Sequence, residues 1–252
     1  APPARNANGN GWQPDADSST GALLDRQESA VDCIFVAAGV IDPRAPNAEH
    51  ERANLQLPRQ VLRAAAPRRI RVVTFGTMME IISLQAETSA YVASKLALAD
   101  EVRAAQQNAL HIRINTLYGG PKPSPHMFVG QMVDALISRS PFRMSPGLQL
   151  REYHHVDDDA RAIIALGAST QQGVFDLHHG APVSLAELAR HTFQALDAAD
   201  LLQVGALPAP VNERFDIDYT RSPLLQDFDF RDTLDAVPEH VRECVAASRR
   251  TP

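Results

Sequence analysis

Tyr91-Val-Ala-Ser-Lys95 sets a phenol and an ammonium four residues apart, inside a run over residues 87–107 that is rich in Ala, Leu, Val and Glu and free of Pro and Gly. Such a run favours a helix, and positions i and i+4 share one helix face. A cation beside a phenol favours the phenolate and lowers its pKa, the condition for moving protons near neutral pH. Alone, the spacing is better explained as an exposed helical pair worth ~0.5 kcal/mol at most. What stands around it shifts the balance.

The elements that must position this pair read as alternating strands and helices. Residues 69–76 are rich in β-branched side chains and form an expected strand over 70–76 that delivers Thr77, fourteen residues before Tyr91. A hydroxyl at the C-terminal end of a parallel strand lies where open α/β sheets bind ligands; the plainer role is a turn threonine bonding its own backbone. Earlier, the apolar run from Val31 ends in Ala37, Ala38 and Gly39, which suits a strand (31–37) buried on both faces. Its three small residues leave room for a flat ligand. Helices are expected over 48–66 and 87–107, and a further strand over 110–117.

In this order the segments resemble the short-chain dehydrogenase/reductases, and three later ones narrow the likeness to the extended branch, the nucleotide-sugar epimerase/dehydratase family. These are Ile112-Arg-Ile-Asn-Thr-Leu-Tyr-Gly119, the stretch from Gln149 to Asp159, which resembles that family's Arg-x-x-x-His-Val-x-Asp segment, and Gly173-Val-Phe-Asp-Leu-His-His-Gly180 followed by a helix from Ser184. Together they cover roughly residues 21–250. The fold implied is α/β, a Rossmann-like parallel sheet flanked by helices and N-terminally incomplete, with a smaller mixed C-terminal substrate lobe. The expected division is a tail over 1–20, the sheet domain over 21–120 and the substrate lobe over 121–252.

Composition limits the partners. With 44% hydrophobic and 21% charged residues the chain is of ordinary globular make-up, and a formal charge of −6 without a Lys/Arg stripe argues against nucleic acid. No run approaches a membrane span and no secretory core opens the chain, so a cytoplasmic location is expected. Cys33 reads as a small buried hydrophobe, and a disulfide scaffold is not expected with two cysteines. His154-His155 and His178-His179 are adjacent pairs that should point apart on strands, so no metal site is expected.

Along the chain, Pro-bracketed residues 127–138 form an expected helix. Asp157 or Asp158 is expected to cap a helix ending near Gly167, Ser184 and Glu187 form a capping box, and a last helix spans about 231–248. One unit is missing: a Gly-rich strand–turn–helix that cradles a pyrophosphate. Gly9-Asn-Gly11 lacks that context, and Ala22 stands where the family commonly has an Asp that meets the adenine. Two readings stay open, a piece of a longer enzyme (favoured) or a natural truncation with weakened cofactor binding. On both, a partner chain is expected to cover the sheet edge left behind.

The resemblance implies hydride transfer with NAD or NADP on a nucleoside-diphosphate sugar. Tyr91 is its acid/base, Lys95 tunes Tyr91 and holds the nicotinamide ribose, and Thr77 orients the reacting oxygen. Ala37, Ala38, Gly39 and Asn54 fall at the cofactor; Thr116, Arg151 and Arg214 fall at the substrate, with the arginines on its diphosphate. His155 and Asp158 are read as structural. Family dehydratases follow the threonine with Asp-Glu; here Met78 and Met79 follow and Glu80 comes one place later, which counts against dehydration and leaves 4-ketoreduction, slightly preferred, or epimerisation. A homodimer through the helices around 48–66 and 87–107 is implied as well. The competing readings are a non-enzymatic binding or scaffold member of the fold, and a dehydrogenase of steroids or other small alcohols.

Overall fold

The computed structural model describes residues 17–26, 31–42, 44–84, 89–105, 108–120 and 123–248. It divides into two compact units. The first comprises residues 1–81, 85–113 and 167–176, and the second comprises 82–84, 114–166 and 177–252. The division thus falls at Arg113/Ile114, earlier than the composition change near 120, and a late segment returns to the first unit as a strand.

In the first unit a four-stranded sheet has the order β1 (Cys33–Val36), β2 (Arg71–Thr77), β3 (Ala109–Ile114), β8 (Gly173–Asp176). β1 pairs with β2, and β3 with β8, both in parallel. Val72, Val73, Leu110 and Ile112 are buried along β2 and β3, as expected of strands covered on both faces. β1 departs from that expectation. It is the outer strand of the described sheet, so Phe35 is exposed and Cys33 only half-buried.

Helices pack on this sheet. A helix α1 (Asp17–Asp25) begins within the stretch expected to be a tail, and Asp25 pairs with Arg68 at 2.6 Å. Gly9 and Gly11 lie outside the described residues. The helix expected over 48–66 is three pieces: α2 (Asn47–Glu51), a π-helical turn (Arg52–Gln56) and α3 (Leu57–Ala65). Pro58 explains the break. It offers no N–H to the carbonyl of Asn54 and its ring would crowd that oxygen. The chain widens by one residue instead, with the Leu57 N–H bonding the Arg52 carbonyl. Leu55, Val61, Leu62 and Ala65 from these helices meet Val36, Val72, Leu98 and Val102 in one apolar core. After a short α4 (Met79–Ile82), α5 (Ala90–Ala104) starts where the Ser89 hydroxyl accepts the Val92 N–H.

The second unit has a separate core. Its short strands pair as β4 (Thr116–Tyr118) with β7 (Tyr153–His155) in parallel, β5 (Phe142–Met144) with β10 (Leu202–Val204) in parallel, and β6 (Leu150–Arg151) with β9 (Val183–Ser184) antiparallel. The strand expected over 110–117 is therefore two strands broken at Asn115. Helices α6 (Phe128–Ser138), α8 (Leu185–Ala195) and α9 (Thr233–Ser248) close over Phe142, Phe193, Leu188, Val237 and Val241. The Ser184 cap is present, its hydroxyl accepting the Glu187 N–H at 3.1 Å. Asp157 and Asp158 instead lie inside the first turn of α7 (Val156–Ala168). Asp158 is occupied elsewhere, by the Arg231 backbone N–H and the Arg161 guanidinium.

Candidate active site

In the first unit, Thr77, Tyr91, Lys95, Asn54 and Gly39 converge. Thr77 is the last residue of β2, and Tyr91 and Lys95 lie in the first two turns of α5, on one face as the four-residue spacing requires. The Thr77 hydroxyl accepts the Met79 N–H at 3.3 Å, the turn role weighed for it, and stands close enough to the Tyr91 phenol to act on its pKa. Lys95 is buried, and its ammonium donates to the Phe75 carbonyl at 2.8 Å.

The electrostatics correct one expectation. In the folded chain the Tyr91 pKa stands above its ordinary value rather than below it. Burial raises it, with the Thr77 hydroxyl opposing and the Glu80 charge adding to the rise. The Lys95 pKa is itself lowered to about 8 by burial, against the Glu80 charge that favours the ammonium. This phenol is therefore held protonated, a state suited to giving a proton to a carbonyl oxygen.

Asn54 is fully buried through the π-helical turn. Its side-chain carbonyl accepts the Val40 N–H at 2.8 Å and its amide donates to the Val40 carbonyl at 2.9 Å, clasping the loop after β1. Its amide also reaches Ser94 at 3.3 Å, tying that loop to α5. Ala37, Ala38 and Gly39 are the exposed small residues of the loop so held. A Cβ on Gly39 would stand 2.8 Å from the Asn54 oxygen and 3.7 Å from the Lys95 nitrogen. An open loop without bulk beside a lysine ammonium fits the nicotinamide ribose of a dinucleotide. No glycine-rich pyrophosphate cradle occurs among the described residues.

Thr116, Arg151 and Arg214 belong to the second unit. Thr116 opens β4. Arg151 bonds Glu213 at 2.5 Å and Arg214 bonds Asp216 at 3.0 Å, so each already has a carboxylate partner. His155 is structural in form: its ring accepts the Asp157 N–H at 3.2 Å and packs edge-on to Tyr118.

Two buried polar groups escaped the sequence reading. Beside the first site, Glu80, His111 and Arg113 form a network in which the Glu80 carboxylate receives the Arg113 Nε–H at 2.8 Å and the Thr77 N–H at 2.8 Å. The signal was available: His111 and Arg113 alternate with Leu110 and Ile112, so one face of a buried strand is polar and must be partnered.

In the second unit, Glu152 accepts the backbone N–H groups of His179, Gly180 and Ala181 at 3.0, 2.6 and 2.8 Å, and the His154 ring at 3.1 Å. The His154 and His179 rings stack 3.4 Å apart and 2° from parallel, with Phe230 on the far side of His179 at 3.6 Å. Both also reach the Asp159 carboxylate, at 2.9 and 3.0 Å. The histidine pairs do separate within each pair, but His154 and His179 meet from distant segments. Their ligand atoms and that of Asp159 lie within 4.8 Å of one another. Coordination to imidazole places an ion in the ring plane about 2 Å from nitrogen. Two parallel planes 3.4 Å apart do not share such a point; the stack instead sets both rings against the Asp159 carboxylate, which His179 hydrogen-bonds.

Its titration sets a stability optimum. Burial would lower the His154 pKa, but Asp159 and Glu152 outweigh it and raise it above 6.5; for His179, burial assisted by the His154 charge wins and lowers it. Burial alone would raise the Asp159 carboxyl, but His154 and His179 hold it below 3.8. A raised histidine stabilises below 6.5 and loses that contribution as pH climbs through its folded value. The depressed one withholds a proton that the unfolded chain takes up, so stability falls as pH drops below 6.5. Urea unfolding midpoints at pH 5, 6.5 and 8 are expected to be highest at 6.5, and His179→Gln to remove the loss on the acid side down to pH 5.

A parallel sheet flanked by helices, with Thr77, Tyr91 and Lys95 at the end of β2, is a Rossmann-like fold. The description "NAD dependent epimerase/dehydratase family" matches residues 15–176, and the chain belongs to that family. The cofactor class read from the sequence, NAD or NADP, is the family's own. No curated protein matches the chain. Among solved structures it is similar to the dTDP-glucose 4,6-dehydratase of Bacillus anthracis in complex with NAD (TM-score 0.72, 16% identity, 95% of this chain and 80% of that one). It is also similar to RMD from Pseudomonas aeruginosa complexed with NADPH (TM-score 0.72, 14% identity, 91% and 86%). A third is MoeE5 in complex with UDP-glucuronic acid and NAD (TM-score 0.67, 19% identity, 93% and 83%). At these identities the likeness is one of fold. Among the described residues no helix is long and apolar enough to cross a membrane.

Proposed function

We propose that the chain reduces the 4-keto group of a nucleoside-diphosphate sugar, with NADH or NADPH supplying the hydride. The observation that carries this reading is the buried Lys95 ammonium on the Phe75 carbonyl, which sets the Tyr91/Lys95 face of α5 at the end of β2 that bears Thr77. Tyr91, kept protonated, gives its proton to the forming alkoxide, and Thr77 aligns the sugar oxygen. Lys95 and the loop over 37–39, clasped by Asn54, hold the nicotinamide ribose.

Elimination is disfavoured by the groups after Thr77. Met78 is buried, and both oxygens of Glu80 are engaged inside the protein rather than available as an acid or base for a sugar. Arg151 and Arg214 remain the cations for the diphosphate, each exchanging its carboxylate for phosphate, with Thr116 nearby in the substrate region and a homodimer as the assembly. MoeE5 and the Bacillus anthracis dehydratase, whose names carry UDP-glucose-type and dTDP-glucose sugars, support that substrate class.

The test is a panel of nucleoside-diphosphate keto-sugars with NADH and NADPH. Stoichiometric loss of reduced cofactor with the 4-keto substrate is the expected result. Conversion of a 4-hydroxy sugar to its epimer without net cofactor loss would select epimerisation, and no turnover on any member would refute the reading.

A further inference from the structure

We infer that Glu80, fixed by Arg113, His111 and the Thr77 amide, is the positioning residue that sets the charge state of the Tyr91/Lys95 pair. The inference rests on reading that pair as the acid/base site. Glu80 is 5% exposed and sits three residues after Thr77 on α4, so its carboxylate folds back under the end of β2. One oxygen takes the Thr77 N–H at 2.8 Å and faces His111 Nε2 at 3.3 Å; the other takes the Arg113 Nε–H at 2.8 Å. Arg113 bonds Asp176 in turn at 3.1 Å, at the sheet's solvent side. The Thr74 hydroxyl lies 2.9 Å from His111 Nδ1, on the ring edge away from the Nε2 that faces Glu80.

The sequence makes room for this carboxylate. A Cβ on Gly76 would fall 2.2 Å from the Glu80 oxygen and 2.3 Å from His111 Nε2, so the strand residue before Thr77 must be glycine for the pair to meet. Phe75, one residue earlier, supplies the carbonyl that holds the Lys95 ammonium. Three successive residues at the end of β2 therefore link Lys95, Glu80 and the substrate-facing hydroxyl. The groups facing this end of the strand are Tyr91 and Lys95 from α5, His111 and Arg113 from β3, and His50 from α2, whose ring lies edge-on 6.2 Å from Tyr91.

Both Glu80 oxygens are engaged inside the protein, so it acts through charge. Its anion opposes the desolvation of Lys95 and keeps the ammonium charged, and the same anion discourages the Tyr91 phenolate. Removing the charge moves both groups toward lower pKa. The alkaline limb of the pH–rate profile, where both groups lose the protons the reduction needs, then shifts to lower pH in Glu80→Gln, whereas a merely structural role would lower kcat at every pH without moving that limb.

A direct readout needs neither substrate nor cofactor. The chain has only two lysines, Lys95 and Lys122, so the 13Cε resonance of Lys95 is assigned by one Lys122→Arg variant. Its titration midpoint is expected near pH 8 in the native protein and at lower pH in Glu80→Gln. Arg113→Gln, which strips the counter-charge from Glu80, is expected to move it the opposite way. An unmoved midpoint in whichever of the two variants folds overturns the inference. A shifted midpoint without turnover on keto-sugars would sink the functional reading alone, and turnover with an unmoved midpoint would sink this one alone.

Discussion

Tyr91→Phe removes the hydroxyl proton donor and is expected to lower kcat for keto-sugar reduction by about 10²- to 10⁴-fold, the range for loss of a positioned general acid. The ring stays, so the packing of α5 against the sheet and the contact with His50 are preserved. KM should change little, because the lost interaction is made mainly as the proton transfers. Thr77→Val provides the graded comparison: it keeps the shape, loses the hydroxyl beside Tyr91 and should cost less than the phenol itself. Steady-state rates with reduced cofactor and native-like unfolding curves for both variants check this. A Tyr91→Phe protein that turns over at the native rate would remove Tyr91 from the mechanism.

The second large effect is one of stability. Glu152→Ala is expected to destabilise the second unit by about 3–5 kcal/mol, measured by urea unfolding. Glu152 is 1% exposed, so solvent screens little. Its carboxylate is the shared acceptor for three consecutive backbone N–H groups after β8 and for His154. Truncation leaves the buried His179 N–H without its partner, takes the carboxylate from the part-buried Gly180 and Ala181 N–H groups, and costs His154 one of its two carboxylates. Burial would raise the Glu152 pKa, but His154, His178 and the Ala181 amide hold it far below the usual carboxylate range. The acid stays ionised as far down as the fold survives. Glu152→Gln, which retains an acceptor oxygen, should recover part of the loss.

How much of this could be read from the chain divides by physical kind. Local periodicity and residue type carried β2, β3, α5, α6 and the Ser184 cap, because each rests on side chains near in sequence. They also carried the convergence of Thr77, Tyr91 and Lys95, since strand end and helix face fix where those groups lie. Partner choice was not local. The Lys95 ammonium binds a carbonyl of β2 rather than the tyrosine it follows on the helix. Arg151 and Arg214 bind carboxylates of their own neighbourhood. The meeting of His154 with His179 depends on two segments twenty-five residues apart being brought side by side. β1 read as doubly buried from its apolar run, yet a strand's burial depends on what lies beside it, which composition does not encode. Pro58 was visible all along, but its effect, one widened turn rather than a broken helix, depends on the surrounding packing.

That widened turn has a consequence for how this site can change over time. Each residue added to a helix rotates everything before it by about 100° relative to everything after it. Asn54 points at the loop over 37–40 because the turn over 52–56 holds one residue more than a regular spiral would. Deleting a single residue there would leave both flanking helices intact and swing the amide away from Val40, releasing the loop. Nearly every substitution nearby is gentler than that one change of length. Descendants of this chain can vary Arg52, Ala53 and Gln56, but Asn54 and the segment's length are what they must inherit.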